Sequence, residues 1–381
     1  MNRSYKLVFV LIILLQTLAL TGCKKKAQPV IVYDGEKAIE IDSISLQRID
    51  LEETSTTYEI ESGIKDTFIY VLDKYLCTLN FHDAMGRLQS SHLGVGHASN
   101  ETTIGRIAGA SFLSDGKLAI FNTSAIYMMY NEQLRLQDWF RIDYTRSLPK
   151  DCYDMPNAYT QRYNRLVCRS YDNCIYCNVE LATPETNMLV SGKEFLKKAS
   201  NIMEIDMEDN TLGRLFIKGF PASYSEKPLS KIILSSSYFD IDAKGTFYVT
   251  YEADSTIFAY DKNNNEIARF GFAGKNMDIS YTTTPTLADV RKNYSKERRK
   301  YGYYNWIEYD DVNGLLFRSY QKGEHEATDG LQIYKNHNLI ADIDVPKRFR
   351  VMGYIAPYYY SYVIADEYNE KLYVYRFSLH K

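Results

Sequence analysis

The side chains able to do chemistry are thinly spread along this sequence. The six histidines are His82, His92, His97, His325, His337 and His380, and no two have the spacing of a zinc-binding HExxH helix. Cys168, Cys174 and Cys177 crowd one short segment. If Asp172-Asn173 forms a two-residue hairpin turn, Cys168 faces Cys177 across the strands, and a disulfide is expected in an oxidising compartment. Cys174 and Cys177 have CxxC spacing, but a redox pair of that kind opens a helix, and this one lies in a strand. The three thiols lack a fourth ligand at zinc-site spacing, so no metal is expected there. Cys77 and Cys152 read as core or loop thiols. There is no GxSxG and no P-loop, and Gly94-Val95-Gly96 lacks the third glycine of a dinucleotide fingerprint. No catalytic residue and no cofactor follow from these patterns.

The elements that would position such residues begin after an export signal. Arg3 and Lys6 precede an apolar run from Leu7 to Leu20, too short to span a membrane in the mature protein. Leu20-Thr21-Gly22-Cys23 then looks like a bacterial lipobox, whose cysteine becomes the lipidated N-terminus. On that reading residues 1–23 are a signal, Cys23 is the lipid anchor, and 24–38 are a tether. Lys24, Lys25 and Lys26 would lie against anionic headgroups. The expected location is the cell envelope, on the outer membrane and facing the periplasm.

The rest of the chain is long enough for one large all-β domain or two ordinary ones. A net charge of -3 argues neither for nucleic acid nor for a strongly acidic ligand, and nucleic acid is not expected as a partner outside the cytoplasm. Tyrosine is unusually frequent, 34 residues against 9 Pro and 20 Gly, which suits half-buried strands. The clearest unit is 239–274. There, Phe247, Val249 and Tyr251 alternate with polar residues, and Lys244-Gly245, Ala253-Asp254 and Asn263–Asn265 mark three turns. A four-strand meander is not stable alone. It recurs at 55–93, 107–142, 161–218 and 304–345, and 350–379 supplies only three strands. Residues 39–51 read as one strand without a copy of its own, able to complete that last sheet. The expected fold is therefore all-β, a six-bladed β-propeller over 39–381 closed by its N-terminal strand.

The segment His92–Phe121 runs from a Gly-x-Gly loop through an apolar strand and Asp115-Gly116 into a second strand. It resembles the blade junction of TolB-like and NHL-like propellers. With the lipobox, the whole chain resembles six-bladed propeller lipoproteins of Gram-negative bacteria, many of unknown function, and the extra N-terminal domain of TolB is absent. The resemblance implies a fold and says little about activity. Some such propellers are calcium-dependent lactonases or esterases, a role that would fall here on Asp240, Asn305 and Glu308 around a channel calcium.

Antiparallel order sorts the connectors onto two faces. Links from first to second and third to fourth strand are short, whereas 94–106, 143–160, 180–200, 219–230, 272–303 and 322–329 all fall on the other face. Long loops on a rigid scaffold usually carry function, which places the site at that mouth. The candidate ligand contacts there are His97, Glu101, Arg106, Tyr153, Tyr159, Lys275, Tyr303 and Tyr304. Thr286 and Asp289 signal the start of a basic helix to about residue 301, readable as a lid or a patch for an anionic ligand, headgroup or partner, and 190–199 signal a second, small helix. The expectation is a lipid-anchored monomer that binds an envelope protein or a peptide or glycan ligand, without catalysis. The alternative is a metal-dependent hydrolase using the central channel.

Overall fold

The structure is a computed structural model that describes residues 30–33, 37–52, 55–122, 126–141, 159–160, 166–181, 193–226, 232–281 and 286–379. Six antiparallel sheets form a six-bladed β-propeller. The inner strands, in blade order, are Ile60–Lys65, Gly109–Phe112, Cys168–Tyr171, Ser237–Ile241, Tyr301–Asp310 and Val351–Ile355. Each is followed outward by later strands of the same stretch of chain, the short strand Glu180–Leu181 leaving the third blade to pair with Tyr159–Thr160.

The turns follow from local chemistry. Gly116, Gly245 and Gly314 have positive φ, as do Asp172, Asn210 and Asn264, the residue types that tolerate it. Gly245 is doubly constrained: its φ is +80, and a Cβ there would lie 2.6 Å from the Tyr171 ring of the preceding blade.

The ring closes as the strand count requires. Gln47–Asp50 pairs antiparallel with Lys371–Phe377, Asp50 facing Tyr373 and Arg48 facing Tyr375, and supplies the outer strand of the sixth blade. The single strand expected over 39–51 is in fact two. Lys37–Ile41 runs parallel to Asn338–Val345 on the edge of the fifth blade. Earlier still, Ile31–Val32 runs parallel to Glu266–Phe270 on the fourth. So the described part of the expected tether is docked, and the N-terminal segment covers the outer edges of three successive blades. Exposed edges invite pairing with other chains, and an internal strand removes that hazard. Cys23 and Lys24–Lys26 lie outside the described residues.

Tyrosine content is explained by the blade interfaces, where one face of each ring packs and the phenol reaches a polar group. Tyr248 of the fourth blade stacks on Tyr309 of the fifth at 4.9 Å. Phe317 of the fifth lies 4.8 Å from Tyr359 of the sixth, whose hydroxyl donates to Asp310 at 2.7 Å. Phe216 and Phe247 stack across the third and fourth at 5.4 Å.

The connectors divide as expected. The first-to-second and third-to-fourth turns are short in every described case, and the long segments lie between blades or between second and third strands. Thr286 caps the helix Leu287–Lys300 by accepting from Asp289 N, and the small helix is Lys193–Lys198. The long helix is not a free lid. Arg298 donates to both oxygens of Glu252, which is fully buried, at 2.7 and 2.9 Å, and to Ile233 O at 2.9 Å. No helix among the described residues is long and apolar enough to cross a membrane.

Candidate functional site

Inner strands of neighbouring blades do not pair through their backbones. Side chains bridge them instead, and the bridges run completely around the channel. Ala110 N donates to Glu61 at 3.2 Å, Ser170 Oγ to Phe112 O at 2.6 Å, and Arg169 Nε to Asp240 at 2.6 Å. Tyr309 N donates to the other Asp240 oxygen at 2.7 Å, Trp306 Nε1 to Val351 O at 2.7 Å, and Ser62 N to the Tyr362 hydroxyl at 3.0 Å. Tyr362 is free to reach Ser62 because the second strand of the last blade breaks there, between Tyr358–Ser361 and Ile364–Asp366.

Arg169 is the waist of the channel. Its guanidinium spans three blades, binding Asp240 and, at 2.9 Å, Glu308, and it lies 5.1 Å from the centre of the Trp306 ring. Two carboxylates share one cation in a site with little water. Burial first, and then the Asp240 charge, push the Glu308 carboxyl up to about 8, with Arg169 opposing. Burial works against the charged form of Arg169 too, but the two carboxylates outweigh it and hold its pKa above the usual value.

Together with Ser62, Tyr70, Cys168 and Trp306, Arg169 divides the channel into two chambers. The one toward the short turns has a volume of about 250 Å³ and contains Ser111, Ser170, Asp240 and Glu308. The other, of about 110 Å³, lies at the beginnings of the inner strands, on the loop-rich side, and contains Glu61, Lys74, Tyr238, Arg350 and Tyr362. Its polar groups are incompletely paired. Glu61 Oε2 is buried without a hydrogen bond, 3.5 Å from Lys74 Nζ, which itself donates to Ala108 O at 2.9 Å. Burial raises the Glu61 carboxyl, with Lys74 opposing. Arg350 Nε is likewise buried without a partner, and its guanidinium lies 5.6 Å from the Trp306 ring centre.

A larger cleft, about 600 Å³, lies elsewhere, between the first and second blades at their short turns. Phe68, Phe81, Phe112 and His92 give it aromatic walls. Within or beside it Lys65 pairs with Asp66 at 2.8 Å and Asp115 with Lys117 at 2.7 Å. The small chamber has two buried polar atoms without a hydrogen bond, Glu61 Oε2 and Arg350 Nε, facing one channel cavity, and we take it as the candidate site.

The contacts expected from the sequence lie apart from it. His97 is exposed, Glu101 accepts from Ala98 N at 2.8 Å within its own loop, and Arg106 covers the Tyr75 ring at 4.4 Å. Lys275 is exposed near Asp344 at 3.9 Å, and Tyr303 lies under Arg298 at 4.5 Å. Tyr304 offers no stacking surface: it is 1% exposed, its ring is covered by Arg318 at 3.9 Å, and its hydroxyl donates to Phe272 O. Tyr159 pairs through its backbone with Leu181, and Tyr153 and Cys152 lie outside the described residues. None of the described ones lines the chamber.

Of the residues named for a channel calcium, Asp240 and Glu308 do come together, but around a guanidinium, and Asn305 is buried with its Oδ1 unpaired. No cluster of three or more His, Cys, Asp or Glu suited to a metal occurs among the described residues. Cys168 and Cys177 face each other across the hairpin with sulfurs 3.2 Å apart, as free thiols. Asn178 N donates to Val167 O, so the cysteines occupy the closer, non-hydrogen-bonded position of the ladder.

No model of a known protein family matches this sequence, and no curated protein matches it. Solved structures do match in fold. A DUF4221 family member from Bacteroides vulgatus superposes with a TM-score of 0.63 at 10% identity, covering 90% of this chain and 99% of its own. A Bacteroides fragilis protein named as an exported one gives 0.53 at 11% identity, over 93% and 100%. A luciferin-regenerating enzyme is more distant, at 0.47 and 10% identity over 88% and 95%, a likeness that carries no functional argument. At these identities the comparisons show the six-bladed fold alone, and the TolB-like and NHL-like kinship is not among their results.

Proposed function

We propose that this chain is a lipid-anchored envelope propeller that binds a ligand or partner at its loop-rich mouth without catalysing a reaction. The observation that carries this is the small chamber on that side, where Glu61 Oε2 and Arg350 Nε are buried without a hydrogen bond. Such atoms cost roughly 1–3 kcal/mol each when unsatisfied, a cost that a bound group removes. The exported-protein neighbour is compatible with an envelope location, and the lipobox supports the anchor.

The hydrolase reading has one observation in its favour, the Glu308 carboxyl at about 8, near the value a general acid needs. Against it, the two carboxylates that would hold a calcium are engaged by Arg169. The test is capture of envelope components by the full lipidated chain, beside turnover of lactone and ester substrates. Specific capture with no turnover is expected. Turnover that Glu308→Gln abolishes, with no specific capture, would overturn the binding role.

A further inference from the structure

The lining of the chamber specifies a ligand chemistry more narrowly than its position does. We infer that it receives a small monoanionic oxyanion, the carboxylate end of a ligand entering from the loop-rich side, with Arg350 as the principal contact. This rests on the reading of the chamber as the binding site and adds the chemical class.

Three cations and one carboxylate line the chamber, and they are not equivalent. Arg169 is committed to Asp240 and Glu308 below. Lys74 is committed to Ala108 O and lies beside Glu61. Arg350 has no carboxylate within ion-pair distance among the described residues, and its Nε is buried and unpaired. A guanidinium over an indole face keeps its full charge and its planar donor fork, the arrangement that carboxylates meet with charge-assisted hydrogen bonds. The single carboxylate in the lining does not cancel it: Glu61 lies 3.5 Å from Lys74 and its other oxygen accepts from Ala110 N.

Size and charge select the class. A chamber of about 110 Å³ admits a headgroup rather than a whole drug-sized molecule. A dianion would need a second free cation and would face the carboxylates beneath Arg169, so a carboxylate fits better than a phosphate.

The chain carries its own reporter. It has two tryptophans: Trp139 is 59% exposed, and Trp306 forms part of the chamber wall. In a Trp139→Phe background, the emission of Trp306 is titrated with acetate and, separately, with inorganic phosphate at constant ionic strength. Saturable change with acetate, tighter than with phosphate, is expected. Arg350→Gln should weaken it at least tenfold, about 1.4 kcal/mol, and Arg350→Lys by less because charge survives without the fork. Both variants are compared with the parent by circular dichroism and thermal midpoint, so that lost folding is not read as lost binding. A response unchanged by Arg350→Gln, tighter binding of phosphate, or no saturable response because water alone fills the chamber would each overturn the inference. Envelope capture that survives the loss of the acetate response would leave the binding role standing. An intact acetate response without capture would do the reverse.

Discussion

Replacing Arg169 with Met leaves a side chain of similar length and removes the only charge between Asp240 and Glu308. Their side chains are 8% and 17% exposed, so neither carboxylate can recover its hydration by a small movement. Breaking a buried ion pair by removing one partner costs about 3–5 kcal/mol. The Arg169 side chain is itself 23% exposed, which places the expectation near the lower end. For a chain of this size the entropy of unfolding converts that to a fall in thermal midpoint of about 4–7 °C. The penalty should also depend on pH. Without the guanidinium the carboxylate pair can shed charge only by taking up protons, so the loss should shrink as the solution is acidified. Adding Glu308→Gln to Arg169→Met should change stability little at neutral pH, because a Glu308 carboxyl near 8 already holds its proton there and Asp240 carries the remaining charge. The assay is urea unfolding of the parent, both single variants and the double variant at acid and neutral pH. A loss below about 1 kcal/mol at neutral pH, the range of an exposed pair, would refute the waist as a buried lock.

Other outcomes follow from the same geometry. Because the folded-state carboxyl of Glu308 is raised from 4.5 to about 8, the folded chain holds a proton that the unfolded chain has released across that range. Its contribution to stability is complete below the lower value and is lost as pH rises through the upper one, so Glu308→Gln should flatten the midpoint-versus-pH curve there. Ile49→Ala empties a buried position in the closing strand, opposite the fully buried Val374, and should cost about 2–5 kcal/mol, with new protease cleavage near both chain ends. If cleavage instead begins within the third or fourth blade, closure is not the weak seam. Oxidant should link Cys168 to Cys177, shown by mass and by loss of thiol labelling, and raise stability by about 2–3 kcal/mol for so short a loop. The reaction should be slow, because burial holds the Cys168 thiol well above its ordinary pKa.

The ring itself was legible because its determinants are local. Asp115-Gly116, Lys244-Gly245 and Asn313-Gly314 mark turns that the backbone needs at positive φ, and the three-strand last copy announces a partner from the other end. The split of 39–51 was not legible, since apolar and polar residues keep alternating while the chain changes blades between Ile41 and Gln47. Two-residue pairing at Ile31–Val32 leaves no periodicity to read. The chamber was hidden for a different reason. Glu61, Arg169, Asp240, Glu308 and Arg350 belong to five blades, and their meeting depends on the ring rather than on any spacing along the chain. One signal was available: Arg169 is a lone charge in an inner strand whose neighbours are apolar or small. Of the residues favoured instead, Glu101 in its loop and Tyr304 in the inner strand of the fifth blade have polar groups that already serve the scaffold.

The account depends on the loop-rich mouth being the side that meets other molecules. A photo-crosslinking amino acid placed at His97 on that side, and in a second strain at Val312, which is 76% exposed at a short turn on the opposite side, tests this in intact cells. Discrete adducts from position 97 and none from 312 are predicted. Adducts confined to 312, or equal at both, would contradict it.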